Sequence, residues 1–224
     1  WRKQLCHEFI GQNILENSEI EGDFDTVIHL AGLVNVGMSM QAPMEYYRNN
    51  VIGTLNMLER VSYKHFIFAS TGAATDPASP YGMSKFVSEQ LVRQYCKLNN
   101  KKCTIFRFYN VIGTDGFPAT NPDGLFYNLT QAIKTGQFDL YGKDYSTKDG
   151  TCVREYVHVN DICMALIKAI DKPSNQIENL AYGDTRTVKE IVNIFKEVNL
   201  FLQHLFLGVV IVNVIVTTLC FRWR

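Results

Sequence analysis

Three short apolar runs, TVIHLAG (26–32), HFIFAS (65–70) and CTIFRFYN (103–110), stand between stretches that place apolar residues at helical spacing. Runs of that length without polar alternation read as strands covered on both faces. A strand, helix, strand, helix order implies parallel neighbours, because parallel strands need a crossover and a helix supplies it. The spacing predicts a helix over 43–62 on Met44, Tyr47, Val51, Leu55 and Leu58. It predicts another over 81–98, with Phe86, Val87, Leu91, Val92 and Tyr95 on one face. Further along it predicts a helix at 124–135, a strand at 138–141, an extended REYVHV (154–159), a helix at 160–171 and a strand QIENLAY (176–182). TVKE (187–190) has the form of a capping box and opens a last helix, 188–198. The fold class is α/β, built on a parallel sheet.

The chain has 224 residues, enough for one substantial domain. Its 22 basic residues match its 22 acidic ones, and that balance argues against the basic face a nucleic-acid binder needs. Cysteines at positions 6, 96, 103, 152, 163 and 220 show neither CxxC spacing nor a zinc-ligand run. They fit reduced, mostly buried thiols of a cytoplasmic protein. There is no signal peptide at the N-terminus, which opens on Trp1. The soluble composition runs to 199; residues 200–221 are almost wholly apolar, with Asn213, Thr217 and Thr218 the polar positions after Leu205. That stretch has three readings: a membrane anchor near the minimum spanning length, a buried terminal element, or sequence foreign to the fold. The predicted organisation is thus a domain over 1–199 and an apolar tail over 200–224.

Four places could hold chemistry. In YGMSK (81–85), Tyr81 and Lys85 share a helix face one turn apart. An ammonium beside a phenol favours the phenolate, and such a tyrosine serves as general acid/base. Alone, the pair reads more readily as an ordinary surface pair. The strand end Ala69-Ser70-Thr71 precedes Tyr81 and offers a hydroxyl where open parallel sheets bind ligands; its plain reading is a turn cap. DTVIHLAG (25–32) ends in Ala-Gly, which lets a flat ligand approach the backbone, while His29 reads as a packed core histidine. The run from Tyr141 to Asp161 contains Arg154, able to pair with a diphosphate or to act as a structural arginine in a polar loop.

Taken in order, DTVIHLAG, EYYRNNVIGTLNMLE, FIFAST, YGMSK, FRFYNVIG and DYSTKDGTCVREYVHVNDI resemble the UDP-glucose (UDP-galactose) 4-epimerases, a branch of the extended short-chain dehydrogenase/reductases. The resemblance runs from about Asp23 to Glu197. It implies a doubly wound, Rossmann-like parallel sheet with part of a smaller substrate-binding region, to which 124–160 contributes. It implies an enzyme in which bound NAD takes hydride from C4 of a UDP-hexose and returns it to the opposite face. Tyr81 would be the acid/base, Lys85 would lower its pKa and hold the nicotinamide ribose, and Thr71 would orient the sugar hydroxyl. Cofactor contacts would fall on Leu30, Ala31, Gly32, Asn49, Ala69, Tyr81, Lys85 and Phe108. Substrate contacts would fall on Thr71, Asn110, Asn128, Leu129, Tyr141 and Arg154, with Arg154 at the diphosphate and Tyr141 at the uracil. The partners implied are a small-molecule UDP-sugar and a second copy of the chain, joined through the 43–62 and 81–98 helices. No metal is implied. A membrane enters only if 200–221 is an anchor.

The sequence departs from the family pattern. No Gly-rich pyrophosphate loop stands near the N-terminus, so that loop and its βαβ unit are expected upstream of Trp1. TVIHL would then show an apolar edge. Gly72 and Ala73 follow Thr71 where sugar-nucleotide dehydratases place two acids, which disfavours dehydration. The Thr71–Tyr81 stretch is shorter than in bacterial forms, and Val34 stands where many members have Lys. Weak NAD binding by this chain is the expected consequence. Two alternatives remain: an epimerase of a related UDP-sugar (N-acetylated or uronic), and a non-catalytic, membrane-anchored sugar-nucleotide binder.

Overall fold

The computed structural model describes residues 8–16, 20–113 and 124–204, with side chains up to 198. In chain order the elements are β1 (Ile20–His29), α1 (Val36–Gln41), α2 (Pro43–Tyr46), a π-helical turn (Tyr47–Ile52), α3 (Gly53–Arg60) and β2 (Val61–Thr71). A 3₁₀ turn (Gly72–Ala74), α4 (Pro80–Leu98), β3 (Lys102–Phe108), β4 (Asn110–Ile112) and α5 (Leu125–Thr135) follow. The chain continues through β5 (Val153–His158), α6 (Val159–Asp171), β6 (Ile177–Leu180), β7 (Thr185–Thr187) and α7 (Val188–His204). These divide into two compact units: Trp1–Arg107 with Leu166–Asn179, and Phe108–Ala165 with Leu180–Arg224.

The first unit is built on a four-stranded parallel sheet in the order β1-β2-β3-β6. β1 runs parallel to β2, with Val27 opposite Phe66 and His29 opposite Phe68. Leu58, Val61, Tyr63, Phe66, Phe68, Val92, Cys96, Cys103 and Ile105 form its core. β2 is buried on both faces from His65 to Ser70, as an unbroken apolar strand should be. β1 corrects the reading of TVIHLAG: it starts at Ile20, and only His29 is fully buried, because the strand lies at the sheet's edge.

The two long helices lie where expected, but the faces they bury are wider and more polar than the apolar spacing suggests. α4 buries Tyr81, Gly82, Ser84, Lys85, Ser88, Glu89, Val92 and Cys96, whereas Phe86, Val87, Leu91 and Tyr95 are only half-buried. The 43–60 run buries Tyr46, Asn50, Gly53, Thr54, Asn56 and Leu58 and leaves Met44 exposed. Both helices turn a polar stripe inward, and hydrophobic periodicity cannot see such a stripe.

In the second unit β5 pairs in parallel with β4 and antiparallel with β7. Ile112, Leu129, Tyr156, Ile191, Val192 and Phe195 form its core. The 138–141 segment is irregular rather than a strand, and QIENLAY shortens to β6. The TVKE capping box is made as read. Thr187 N donates to Glu190 Oε2 at 2.9 Å, and Glu190 N donates to Thr187 Oγ1 at 3.2 Å. α7 then runs on past the expected end at 198 to His204. The rest of the 200–221 tail lies outside the described residues. Among the described residues no helix is long and apolar enough to cross a membrane. Cys96 and Cys103 are buried thiols, but Cys163 is exposed.

Candidate active site

β2 ends at Thr71, whose extended backbone (φ −142°, ψ 151°) turns into the 3₁₀ segment. Its Oγ1 accepts from Ala73 N at 3.3 Å, so the plain turn-cap role is real. The same hydroxyl also hydrogen-bonds the Tyr81 side chain. Tyr81 stands in the first turn of α4, which Pro80 opens and Ser79 caps by accepting from Gly82 N at 3.1 Å. Gly82 follows from packing: a Cβ there would lie 2.6 Å from the Ala73 carbonyl oxygen. The first turn of α4 therefore presses directly onto the turn that follows Thr71. The Tyr81 ring is 8% exposed and meets Tyr46 edge-on at 6.3 Å.

Lys85 is 3% exposed. Its Nζ donates to the Ala69 carbonyl at 2.9 Å and lies 4.8 Å from the Phe68 ring centre. Burial lowers its pKa to about 8, against the opposing pull of Glu89. The expected lowering of the Tyr81 phenol by Lys85 is not what this structure shows. Burial pushes that phenol up, and the hydrogen bond with Thr71 opposes it only in part. The ammonium spends its bond on Ala69 instead.

Gly32 brings the end of β1 to the same place. A Cβ on Gly32 would lie 3.0 Å from Asn50 Oδ1 and 3.2 Å from Lys85 Nζ. The bare backbone of Gly32 thus admits these two side chains, with Leu30 (57% exposed) and Ala31 open to solvent beside it. Asn49, on the π turn, is half-buried. His29 is the packed core histidine it was read as. It bonds Thr54 Oγ1 at 3.1 Å, lies 5.8 Å from the rings of Phe66 and Phe68, and has its pKa lowered to about 3, chiefly by burial.

The sequence pattern did not single out Asn50, Ser84, Ser88 or Glu89. Asn50 Oδ1 accepts from Leu33 N at 2.8 Å, and its Nδ2 donates to Leu33 O at 3.0 Å and to Ser84 Oγ at 2.9 Å. Its own carbonyl accepts from Thr54 Oγ1 and Ser88 Oγ. A signal was present: Ser84, Lys85, Ser88 and Glu89 recur at helical spacing on the face of Tyr81 and Val92.

The substrate residues implied by the resemblance lie in the second unit. Asn110 Nδ2 donates to the Glu155 carbonyl at 2.8 Å, tying β4 to β5. Asn128 Nδ2 donates to Gly124 O at 3.1 Å. The Leu129 side chain is 2% exposed in the core, so only its backbone is left to meet a ligand. Tyr141 is 83% exposed, and Phe108 is half-buried at the end of β3. Arg154 is exposed and directly opposite Arg186 on β7, which the sequence reading passed over. Arg186 pairs with Asp184 at 3.3 Å. Like charges opposite each other on a strand pair are unfavourable unless an anion offsets them. Among the described residues no group of three His, Cys, Asp or Glu side chains could hold a metal.

A parallel sheet whose strand end brings a buried tyrosine, a lysine and a threonine together defines an α/β protein of the dinucleotide-binding type. The chain belongs to the NAD dependent epimerase/dehydratase family, whose pattern matches residues 4–183. It is 33% identical to the UDP-glucose 4-epimerase of Haemophilus influenzae over 223 aligned positions, covering 86% of this chain and 66% of that protein. It is 37% identical to the UDP-glucose 4-epimerase of Erwinia amylovora, covering 76% of this chain and 60% of that protein. The chain therefore spans slightly less than two thirds of these relatives. Among solved structures it resembles the UDP-glucose 4-epimerase of Bifidobacterium longum in complex with NAD⁺ and UDP. The TM-score is 0.68 at 29% identity, over 78% of this chain and 61% of that one. The UDP-Glc/GlcNAc 4-epimerase of Campylobacter jejuni gives a TM-score of 0.62 at 31% identity, over 78% of this chain and 61% of that one.

Proposed function

We propose that this chain is the greater part of a UDP-glucose (UDP-galactose) 4-epimerase that works with NAD and serves galactose metabolism. The observation behind this is the meeting of Tyr81, Thr71 and Lys85 at the end of β2, with Lys85 over the bare backbone of Gly32. A group without a side chain, flanked by a buried ammonium and an amide, fits the ribose and amide end of a dinucleotide. When bound, NAD supplies the hydride acceptor and donor. Leu30, Ala31, Gly32, Asn49, Ala69 and Lys85 are the residues to hold it, and Phe108 is a further proposed cofactor contact. Tyr81 holds and returns the proton of the sugar C4 hydroxyl, and Thr71, already bonded to the phenol, orients that hydroxyl. The raised phenol pKa means that the cationic cofactor, together with Lys85, must favour the phenolate before Tyr81 can act as a base. Arg154, with Arg186 opposite, suits a diphosphate, and Asn110, Asn128, the Leu129 backbone and Tyr141 complete the nucleotide-sugar contacts.

The test is made in the complete protein. Tyr81→Phe is expected to lower kcat for the UDP-galactose to UDP-glucose conversion by about 10²-fold or more. A wild-type rate in that variant would refute the assignment. The Campylobacter neighbour favours a second reading, in which an N-acetylated UDP-hexose is also a substrate, and assay of UDP-GlcNAc decides it. The same proposal has a cytoplasmic homodimer joined through the 43–60 and 80–98 helices, checked by sedimentation of the complete protein.

A further inference from the structure

One member of the buried polar stripe on α4 has no place in the chemistry so far. Glu89 is fully buried, one helical turn beyond Lys85. Its Oε1 accepts from Ser70 Oγ at 2.5 Å and from Arg107 Nε at 2.8 Å, and its Oε2 accepts from Arg107 Nη2 at 2.6 Å. Arg107 Nη1 donates onward to Thr75 Oγ1 at 3.2 Å. One carboxylate thus ties α4 to β2 at Ser70 and to β3 at Arg107, and through the guanidinium to the residue closing the 72–74 turn.

The placement is informative. Ser70 stands between Ala69, whose carbonyl holds the Lys85 ammonium, and Thr71, whose hydroxyl meets Tyr81. A buried ion pair is a poor stabiliser, since the desolvation it costs commonly exceeds what apolar side chains of equal volume would cost. Stability therefore does not explain why a glutamate and an arginine stand here, but the geometry of the strand end does. We propose that Glu89, paired with Arg107, is a positioning residue for the reactive group: it fixes the Ala69–Thr71 strand end against α4 and provides the counter-charge for the Lys85 ammonium.

His29 on β1 is neutral at any pH well above 3, and the Tyr81 phenol on α4 is held protonated by burial. Glu89 opposes the depression of Lys85 by burial. Removing it exposes Lys85 to the full desolvation penalty and leaves Arg107 without its carboxylate.

The inference rests on the reading of Tyr81, Lys85 and Thr71 given above, and its test is independent of activity. Lysine labelled with ¹³C at Cε is titrated by NMR in this 224-residue chain, with the Lys85 signal identified by its loss in Lys85→Met. The wild-type midpoint is expected near 8. Glu89→Gln should move it down by about one pH unit. The double variant Glu89→Gln/Arg107→Gln leaves neither member of the pair without its partner, so it keeps the measurement open if the single variant does not fold, and because Glu89 is the charge acting on Lys85 it should shift in the same direction. An unchanged Lys85 midpoint in a folded variant, with only a lower melting temperature, overturns the proposal. In the complete enzyme Glu89→Gln should lower kcat by about tenfold near pH 8 with KM held, and less at lower pH where Lys85 regains its proton. An unshifted Lys85 sinks this inference whatever Tyr81→Phe does, and an active Tyr81→Phe enzyme sinks the epimerase assignment whatever Lys85 does.

Discussion

The side-chain amide of Asn50 donates to the hydroxyl of Ser84 at 2.9 Å, joining the π turn of the 43–60 run to the α4 turn that bears Tyr81 and Lys85. Within the π turn the Asn50 carbonyl accepts two hydroxyls, from Thr54 at 2.6 Å and Ser88 at 3.0 Å. With its amide also closing a two-bond clamp on Leu33, Asn50 fixes the loop after β1 beside Gly32.

Asn50→Ala should therefore destabilise the chain by about 2 kcal/mol or more, since it strands the Leu33 backbone groups and the Ser84 hydroxyl. Chemical denaturation checks it. A loss below about 0.5 kcal/mol would show that the clamp is not maintained in solution. In the complete protein the same variant should weaken NAD binding, because the backbone at Gly32 is no longer pinned.

His29 predicts an acid sensitivity. The folded pKa is near 3 against 6.5 in the unfolded chain, chiefly through burial. Between those values the unfolded chain binds a proton that the folded one refuses, so this contribution is complete above pH 6.5 and is lost as pH falls toward 3. From pH 7 to 4.5 the wild type should lose about 2–3 kcal/mol through this group. His29→Gln, which keeps a partner for Thr54, should lose that much less over the same interval. Parallel pH profiles for the two proteins would show that His29 is not the sensor.

Most of the framework was legible, and the misses around the site have a common cause. Strands were marked by apolar runs and helices by their spacing, and the Thr187–Glu190 box was marked by residue type alone. What the apolar pattern missed was the polar part of the buried faces. Val92 is buried and Leu91 and Tyr95 pack against the core as their spacing suggests, but α4 also buries Ser84, Lys85, Ser88 and Glu89, because their hydrogen bonds are met by Asn50, Ala69, Ser70 and Arg107. A polar group enters a core once partners from other elements are in place, and those partners lie far off in sequence. The same reason hid Asn50. That Tyr81 opens a helix soon after the Thr71 strand end was legible, but the pKa of its phenol was not, since that depends on burial among Tyr46 and the surrounding elements.

Gly82 gives a packing test at the reactive tyrosine. Its φ is ordinary for a helix, so Gly82→Ala would gain helix propensity in open space. Here the added methyl would meet the Ala73 carbonyl oxygen at 2.6 Å. The helix must move off the 72–74 turn, at about 1–3 kcal/mol for overpacking against backbone. The expected result is a lower denaturation midpoint and, in the complete enzyme, a fall in kcat larger than any change in KM. A stabilised Gly82→Ala protein would mean that the contact relaxes without strain.

The second unit offers a test independent of the reaction. Thr187 caps α7 and also donates to Asp149 Oδ2 at 2.5 Å. Asp149 accepts from the backbone and hydroxyl of Thr151, and its carboxyl is held down to about 2, first of all by Thr187. One hydroxyl thus fastens the N-terminus of α7 and the 147–151 turn of the Tyr141–Asp161 run. Thr187→Ala should cost about 1–2 kcal/mol from the cap alone. Thr187→Ser keeps the hydroxyl and should recover most of it. The Asp149 carboxyl, followed by NMR, should titrate at a higher pH in Thr187→Ala and near its wild-type value in Thr187→Ser. An Asp149 titration that ignores both substitutions would show that the loop is held by Thr151 and Lys148–Glu190 without Thr187.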